Sequence, residues 1–224
     1  MINRLIQIRS SLSKPRMDVL VLGNGPQILD INFELIKPEV ITLGVNRIWL
    51  KFVPNYLFFH DPEILYEIEK RTDIDFSNTV LIVSDWSNVP IDSISSRFKK
   101  VINVKRVRVD SFPDSVSTCI QIFSESIFKN KEIYFYIAGV NLKWTDPSHF
   151  WKKIDYSDSL NKNDKDWYDP RFIKMFRNFQ RLMKLGYRLR SVTPNSLLNK
   201  IMPSLGIDHL YINSVLLRNG NRVR

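Results

Sequence analysis

The residues best suited to chemistry stand where apolar runs give way to polar turns. Gly23-Asn24-Gly25-Pro26 directly follows the run Asp18 to Leu22. Glycines at a tight strand-to-helix turn remove Cβ atoms, so backbone amides can approach a phosphate or a nucleobase. No third glycine completes the dinucleotide fingerprint, so the turn alone does not specify that ligand. Asn46 and Arg47 end the run Glu39 to Val45, and His60-Asp61-Pro62 ends the run Asn55 to Phe59. An amide at 46 suits ribose or base, and a guanidinium at 47 suits phosphate. Ser117 and Thr118 open a stretch of helical periodicity, where hydroxyls can cap exposed amides.

A second set of reactive types lies in the polar stretch from Asn141 to Asp169, which has no sustained period. Such stretches inside compact domains are usually lids or binding loops. His149 suits a general base at neutral pH. Asp146, Asp166 and Asp169 are alternatives for that role. Tyr156 and Tyr168 could donate to a departing phosphate, stabilising charge as it develops. Two Asp-x-Asp spellings, Asp73-Ile-Asp75 and Asp164-Lys-Asp166, have the chemistry of a divalent-cation site. The first follows a helix and precedes a strand, at the end of the sheet away from the other candidates. The second lies in the polar stretch. The spelling is too common to assign a metal.

Elements must hold these residues in place. Continuous apolar runs at 18–22, 39–45, 55–59, 79–84, 101–109, 132–138 and 187–192 predict strands buried on both faces. That is the pattern of a parallel sheet covered by helices. Helical spacing is read over 27–36, 62–71, 117–130 and 170–185, with Gly186 ending the last, and a short helix follows Ser196. The expected architecture is one Rossmann-like α/β domain over residues 1–224, with an insertion at about 141–169.

Composition narrows the class. With 224 residues and 44% apolar content, the chain can bury a sizeable core, which excludes disorder as its main state. No apolar run approaches the ~20 residues that cross a bilayer. The amino-terminal residues lack a continuous secretory core. One cysteine, Cys119, excludes an internal disulfide. An intracellular, cytoplasmic protein is expected. The formal charge of +10 and pI near 9.7 favour anionic partners: nucleic acid, an anionic membrane surface or phosphorylated small molecules.

Taken in order, Leu22-Gly-Asn-Gly-Pro, Gly44-Val-Asn-Arg, His60-Asp-Pro, Ser115-Val-Ser-Thr, Glu132 to Asn141 and Thr193-Pro-Asn-Ser-Leu-Leu resemble the bacterial sialyltransferases of glycosyltransferase family 42. They are also similar to phage and bacterial proteins of a family named after a pterin pyrophosphokinase. The blocks span most of Asp18 to Leu198. The resemblance implies a GT-A-like domain that takes a sugar from a nucleotide donor, a UDP- or CMP-sugar, and passes it to an acceptor hydroxyl with inversion. It implies that Gly23, Asn24, Gly25 and Asn46 contact the nucleotide, with Ser117 and Thr118 near its phosphate or ribose. Asn195 and Ser196 would help close the donor site. In that family a lid supplies a histidine base and phosphate-steadying tyrosines without a metal; His149, Asp166 and Tyr168 are the candidates here. Asp61 stands where the sialyltransferases have an asparagine before proline. An anion there cannot donate to a phosphate or carboxylate, which points to a sugar other than sialic acid.

The acceptor is read from charge. Arg97 to Lys100, Lys105 to Arg108, Arg171 to Lys184, Arg188, Arg190 and the tail suit a polyanion. Double-stranded DNA bearing a hydroxymethylated base, modified by a phage enzyme, is the preferred acceptor, with lid aromatics beside an extruded base. Surface glycans are the alternative acceptor, and a pterin pyrophosphokinase or a non-catalytic binding module are the alternative activities. His209, among Leu205, Ile207 and Leu210, reads as a packing residue.

Overall fold

The computed structural model describes residues 14–84, 95–104, 114–140, 142 and 165–212, the side chains of 165–172 aside. The strands are β1 Arg16–Leu22, β2 Ile41–Val45, β3 Tyr56–Phe58, β4 Val80–Ser84, β5 Lys100–Val104, β6 Glu132–Ala138 and β7 Arg188–Ser191. They form one open sheet in the order β5-β4-β3-β2-β1-β6-β7. Every neighbouring pair is parallel. Val19, Leu20, Val21 and Leu22 are all fully buried, as a strand covered on both sides requires.

The two covers differ. Helices α2 (Ser115–Ile122) and α3 (Lys165–Lys184) face Val19, Val21, Leu43, Phe58 and Phe135 through Ile120, Phe123, Phe179 and Leu182. On the other face α1 (Pro62–Lys70) and several short 3₁₀ turns cover Leu20, Leu22, Leu57 and Leu81. α1 follows its expected bounds: Pro62 opens it, Glu63 sits in its first turn, Lys70 in its last, and Ile64, Leu65 and Ile68 are buried.

Other elements depart from expectation. The stretch 27–36 forms two 3₁₀ turns, Pro26–Asp30 and Phe33–Leu35, instead of one helix. Ile31 is extended between them, and the Asn32 side chain accepts from the Glu34 amide, capping a fresh turn. α2 begins at Ser115, two residues early, and continues into a π-helical turn, Phe123–Ile127. α3 begins at Lys165, inside the stretch expected to lack regular structure. Lys-Asp-Trp-Tyr-Asp carries no apolar period, so nothing in the pattern marks that first turn. β5 ends at Val104; residues 105–109 of the expected strand lie outside the described residues.

Because β1 lies between β2 and β6, the chain leaves β1 toward one side and β6 toward the other. In open α/β sheets such a switch, at the carboxyl ends of the strands, is where ligands bind. α2 precedes β6 and α3 precedes β7, so both helices start at this carboxyl rim.

Candidate functional site

Register sets the rim. Leu22 pairs with Gly44 and with Ala138, Val45 with Phe58, and Ile137 with Ser191. Residues 23–25, 46, 60–61, 139–140 and 193–196 therefore leave the same edge of the sheet. Hydrogen bonds join the loops after β1, β6 and β7 among them. The Gly23 and Gly25 amides donate to Ala138 O and Gly139 O, each at 2.8 Å. A Cβ on Gly23 would lie 2.5 Å from Gly139 O, and one on Gly25 2.8 Å from it. These two glycines thus let the β1 and β6 loops pack backbone to backbone, and the amides expected to meet a phosphate are already occupied. Asn24, between them, is half-buried, and its Oδ1 is buried without a hydrogen-bond partner among the described residues.

Asn46 has a φ of +52°, a left-handed conformation that asparagine tolerates better than most residues. Its Oδ1 accepts from Ser115 Oγ at 3.3 Å, which turns the Nδ2 donor away from α2. Ser115 opens α2 and takes the place at the helix start that the sequence pattern gave to Ser117. Ser117 is buried, and both its amide and its hydroxyl are bound to Asp114, the amide at 2.7 Å. Ser117 is therefore a helix-cap anchor. Thr118 is also buried, its Oγ1 without a partner among the described residues.

Asp114 is the hub behind the rim. It caps α2 and accepts from Asn178 Nδ2 of α3 at 2.8 Å, tying the two helices together. Burial pushes its carboxyl above the ordinary carboxylate range, against the pull of Asn178 and Ser117. His60 lies within electrostatic reach, its ring edge-on to Phe58 at 4.7 Å. Burial holds its imidazole below the ordinary value while Asp61 and Asp114 pull the other way, and its buried Nε2 has no partner among the described residues.

Four other candidates are held by neighbours or exposed. Arg47, expected to reach phosphate, donates to Glu67 at 2.7 and 2.6 Å. Asp61 is exposed at the N-cap position of α1 without making a cap bond. Asn195 is exposed with φ +57°, whereas Ser196 is buried and donates to Val140 O at 2.6 Å, fastening the β7 loop to the β6 loop.

Asp166 and Tyr168 lie in the first turn of α3, at the rim; their side chains, like His149, Asp146, Tyr156 and Asp164, are outside the described residues. Asp73 and Asp75 bind Arg71 and Ser77 on the surface, as their position before β4 foretold. Among the described residues no three His, Cys, Asp or Glu side chains group as metal ligands, and no helix is long and apolar enough to cross a membrane.

No family model and no curated protein matches the chain. Solved structures do. The sialyltransferase CstII from Campylobacter jejuni, with the substrate analogue CMP-3FNeuAc, superposes with a TM-score of 0.51 and 14% identity, over 88% of this chain and 88% of that one. The same enzyme with cytidine-5'-monophosphate gives 0.50 and 14%, over 88% and 87%. The chain has the sialyltransferase fold. The sialyltransferase fold agrees with the resemblance read from the residue blocks and with the parallel sheet observed.

The buried imidazole gives a testable pH dependence. His60 is depressed in the folded chain, so its stability is fully present above about pH 6.5, the unfolded value, and is lost as pH falls. Asp114 is raised and acts with the opposite sign, but it is common to both proteins in a comparison with a His60 variant. His60→Asn is therefore expected to flatten the fall in melting temperature between pH 7.5 and 5.5. Parallel curves would remove His60 as the cause.

Proposed function

We propose that this chain is a nucleotide-sugar-dependent glycosyltransferase that binds a CMP-linked sugar at the carboxyl rim and passes the sugar to a glycan hydroxyl. The observation that carries this reading is the Asn46–Ser115 hydrogen bond, with Asn24 at the neighbouring strand end, at the switch point of a sheet whose structural neighbours hold CMP or the analogue CMP-3FNeuAc. The Asn46 amide offers a donor to ribose or base, and the Asn24 oxygen, without a partner among the described residues, offers an acceptor. In the reaction the acceptor oxygen attacks the anomeric carbon. The bond from that carbon to the phosphate oxygen breaks, CMP leaves with the electron pair, and the hydroxyl proton passes to a base. His149 and Asp166 are our candidates for the base, and Tyr168 for a donor to the departing phosphate.

A glycan acceptor replaces duplex DNA as the preferred reading. DNA rests on net charge alone, whereas the sialyltransferase fold supports a saccharide. The test is transfer from CMP- and UDP-sugars to a glycan panel, read as nucleotide release together with a mass increment on the acceptor. We expect both with a CMP donor. Release from UDP-sugars only would overturn the donor, and a mass increment on nucleosides of co-expressed DNA would overturn the acceptor.

Two variants probe the site. Ser115→Ala releases the Asn46 amide from its fixed orientation and is expected to raise the dissociation constant for CMP about tenfold, ~1.4 kcal/mol, with little change in melting temperature. Equal affinity would contradict the positioning role. Asp61 places a carboxylate at the rim, and like charges brought together cost on the order of a few kcal/mol. Asp61→Asn is thus expected to improve kcat/KM for a carboxylate-bearing donor sugar by about tenfold or more relative to a neutral one. An unchanged ratio would mean that the donor sugar does not approach Asp61.

A further inference from the structure

At the amino ends of β1, β6 and β7, opposite the carboxyl rim, arginines crowd around one tyrosine. The register pairs Asp18 with Tyr134, Tyr134 with Arg188, and Tyr136 with Arg190, and Arg16 lies two residues before Asp18. These six residues share one face of the sheet. The guanidinium carbons of Arg16, Arg188 and Arg190 stand 4.4, 5.1 and 5.6 Å from the Tyr134 ring centroid. Three cations this close require compensation. Arg16 receives it from Asp18, at 2.9 and 3.2 Å, and Arg188 from Glu132, at 2.7 Å. Among the described residues Arg190 makes no ion pair; the face of Tyr134 lies against it, and the Tyr136 phenol is within electrostatic reach.

Arg190 lines a cavity of about 300 Å³ together with Arg16, Asp18, Lys37, Glu39 and His209. Lys37 Nζ donates to His209 O at 3.0 Å, which holds its ammonium at the wall. Asp18 is spent on Arg16. The wall therefore keeps an excess of positive charge, which Glu39 limits to what a single anionic group would balance. A guanidinium presents a planar fork of donors that matches phosphate oxygens two at a time. The volume suits a small head group.

We propose that this cavity binds one phosphate group, carried by a soluble phosphomonoester or by a lipid headgroup, through Arg190 with Lys37 beside it. The assignment does not depend on the glycosyltransferase reading, since it lies at the other end of the sheet.

The test titrates inorganic phosphate and glycerol phosphate into the full chain by calorimetry, with and without CMP at saturation. Saturable binding is expected, undiminished by CMP. Arg190→Gln is expected to weaken it at least about tenfold, Arg190→Lys to restore part of it, and Lys37→Ala to weaken it less. Lys99→Gln, on the exposed surface beyond the cavity, is expected to leave it unchanged. Cosedimentation with phosphatidylcholine vesicles containing phosphatidic acid, lost in Arg190→Gln, would identify the headgroup as the source; glycerol phosphate binding without cosedimentation would identify the soluble ester. No saturable phosphate binding, displacement by CMP, or equal affinity in Arg190→Gln and Lys37→Ala as in the native chain would overturn the proposal.

Discussion

Asp114→Ala is expected to remove about 3 to 5 kcal/mol of folding stability, read as a lowered urea midpoint at an unchanged slope. The carboxylate is buried and takes bonds from the Ser117 amide, the Ser117 hydroxyl and Asn178. Alanine leaves all three groups without that partner. A buried donor left unsatisfied costs about 1 to 3 kcal/mol, and entering water offsets part of the total. A domain of this kind holds only about 5 to 15 kcal/mol in reserve, so the loss is a large share of the whole. Asp114→Asn should cost less, because one amide oxygen can still cap α2. A midpoint within experimental error of the native one in Asp114→Ala would show that the hub does not join α2 to α3.

The second large effect is on binding. Asn24→Ala is expected to raise the dissociation constant for CMP by about 10- to 100-fold, ~1.4 to 2.8 kcal/mol, by leaving a nucleotide donor without its acceptor. Its effect on the unliganded chain has the opposite sign. Among the described residues the Asn24 Oδ1 is buried without a partner, so deleting it should leave the melting temperature unchanged or raise it. A purely structural asparagine would lose stability and affinity together. Loss of melting temperature without loss of CMP affinity would therefore reassign Asn24 to folding.

The sheet was legible because strands buried on both sides leave continuous apolar runs, as Val19 to Leu22 does. The rim was legible because strand ends are marked by glycine, asparagine and histidine in a chain with only 7 glycines and 3 histidines. What tied the rim together was not. Asp114 and Asn178 stand 64 residues apart, and no local pattern announces a hydrogen bond between them. Ser117 was expected at the opening of its helix, but the chain starts α2 two residues earlier, so Ser115 takes that place and Ser117 turns to the cap. Arg47 looked ready for phosphate because its partner, Glu67, lies a full strand and most of a helix away. The glycines at 23 and 25 were noticed for the right property, a missing Cβ, and the space it leaves is filled by the Gly139 backbone. The short turns over 26–35 mimic helical spacing, since Ile28 and Ile31 both face the core from separate local structures.

Backbone amide exchange in the presence and absence of CMP reports on the rim as a whole. The account predicts that CMP slows exchange together in the segments 23–25, 45–47, 59–61, 114–118 and 193–196, and leaves 16–18 and 188–190 as they were. Unaltered exchange at the carboxyl ends of the strands, or slowing confined to their amino ends, would contradict a nucleotide-sugar site built at this switch point.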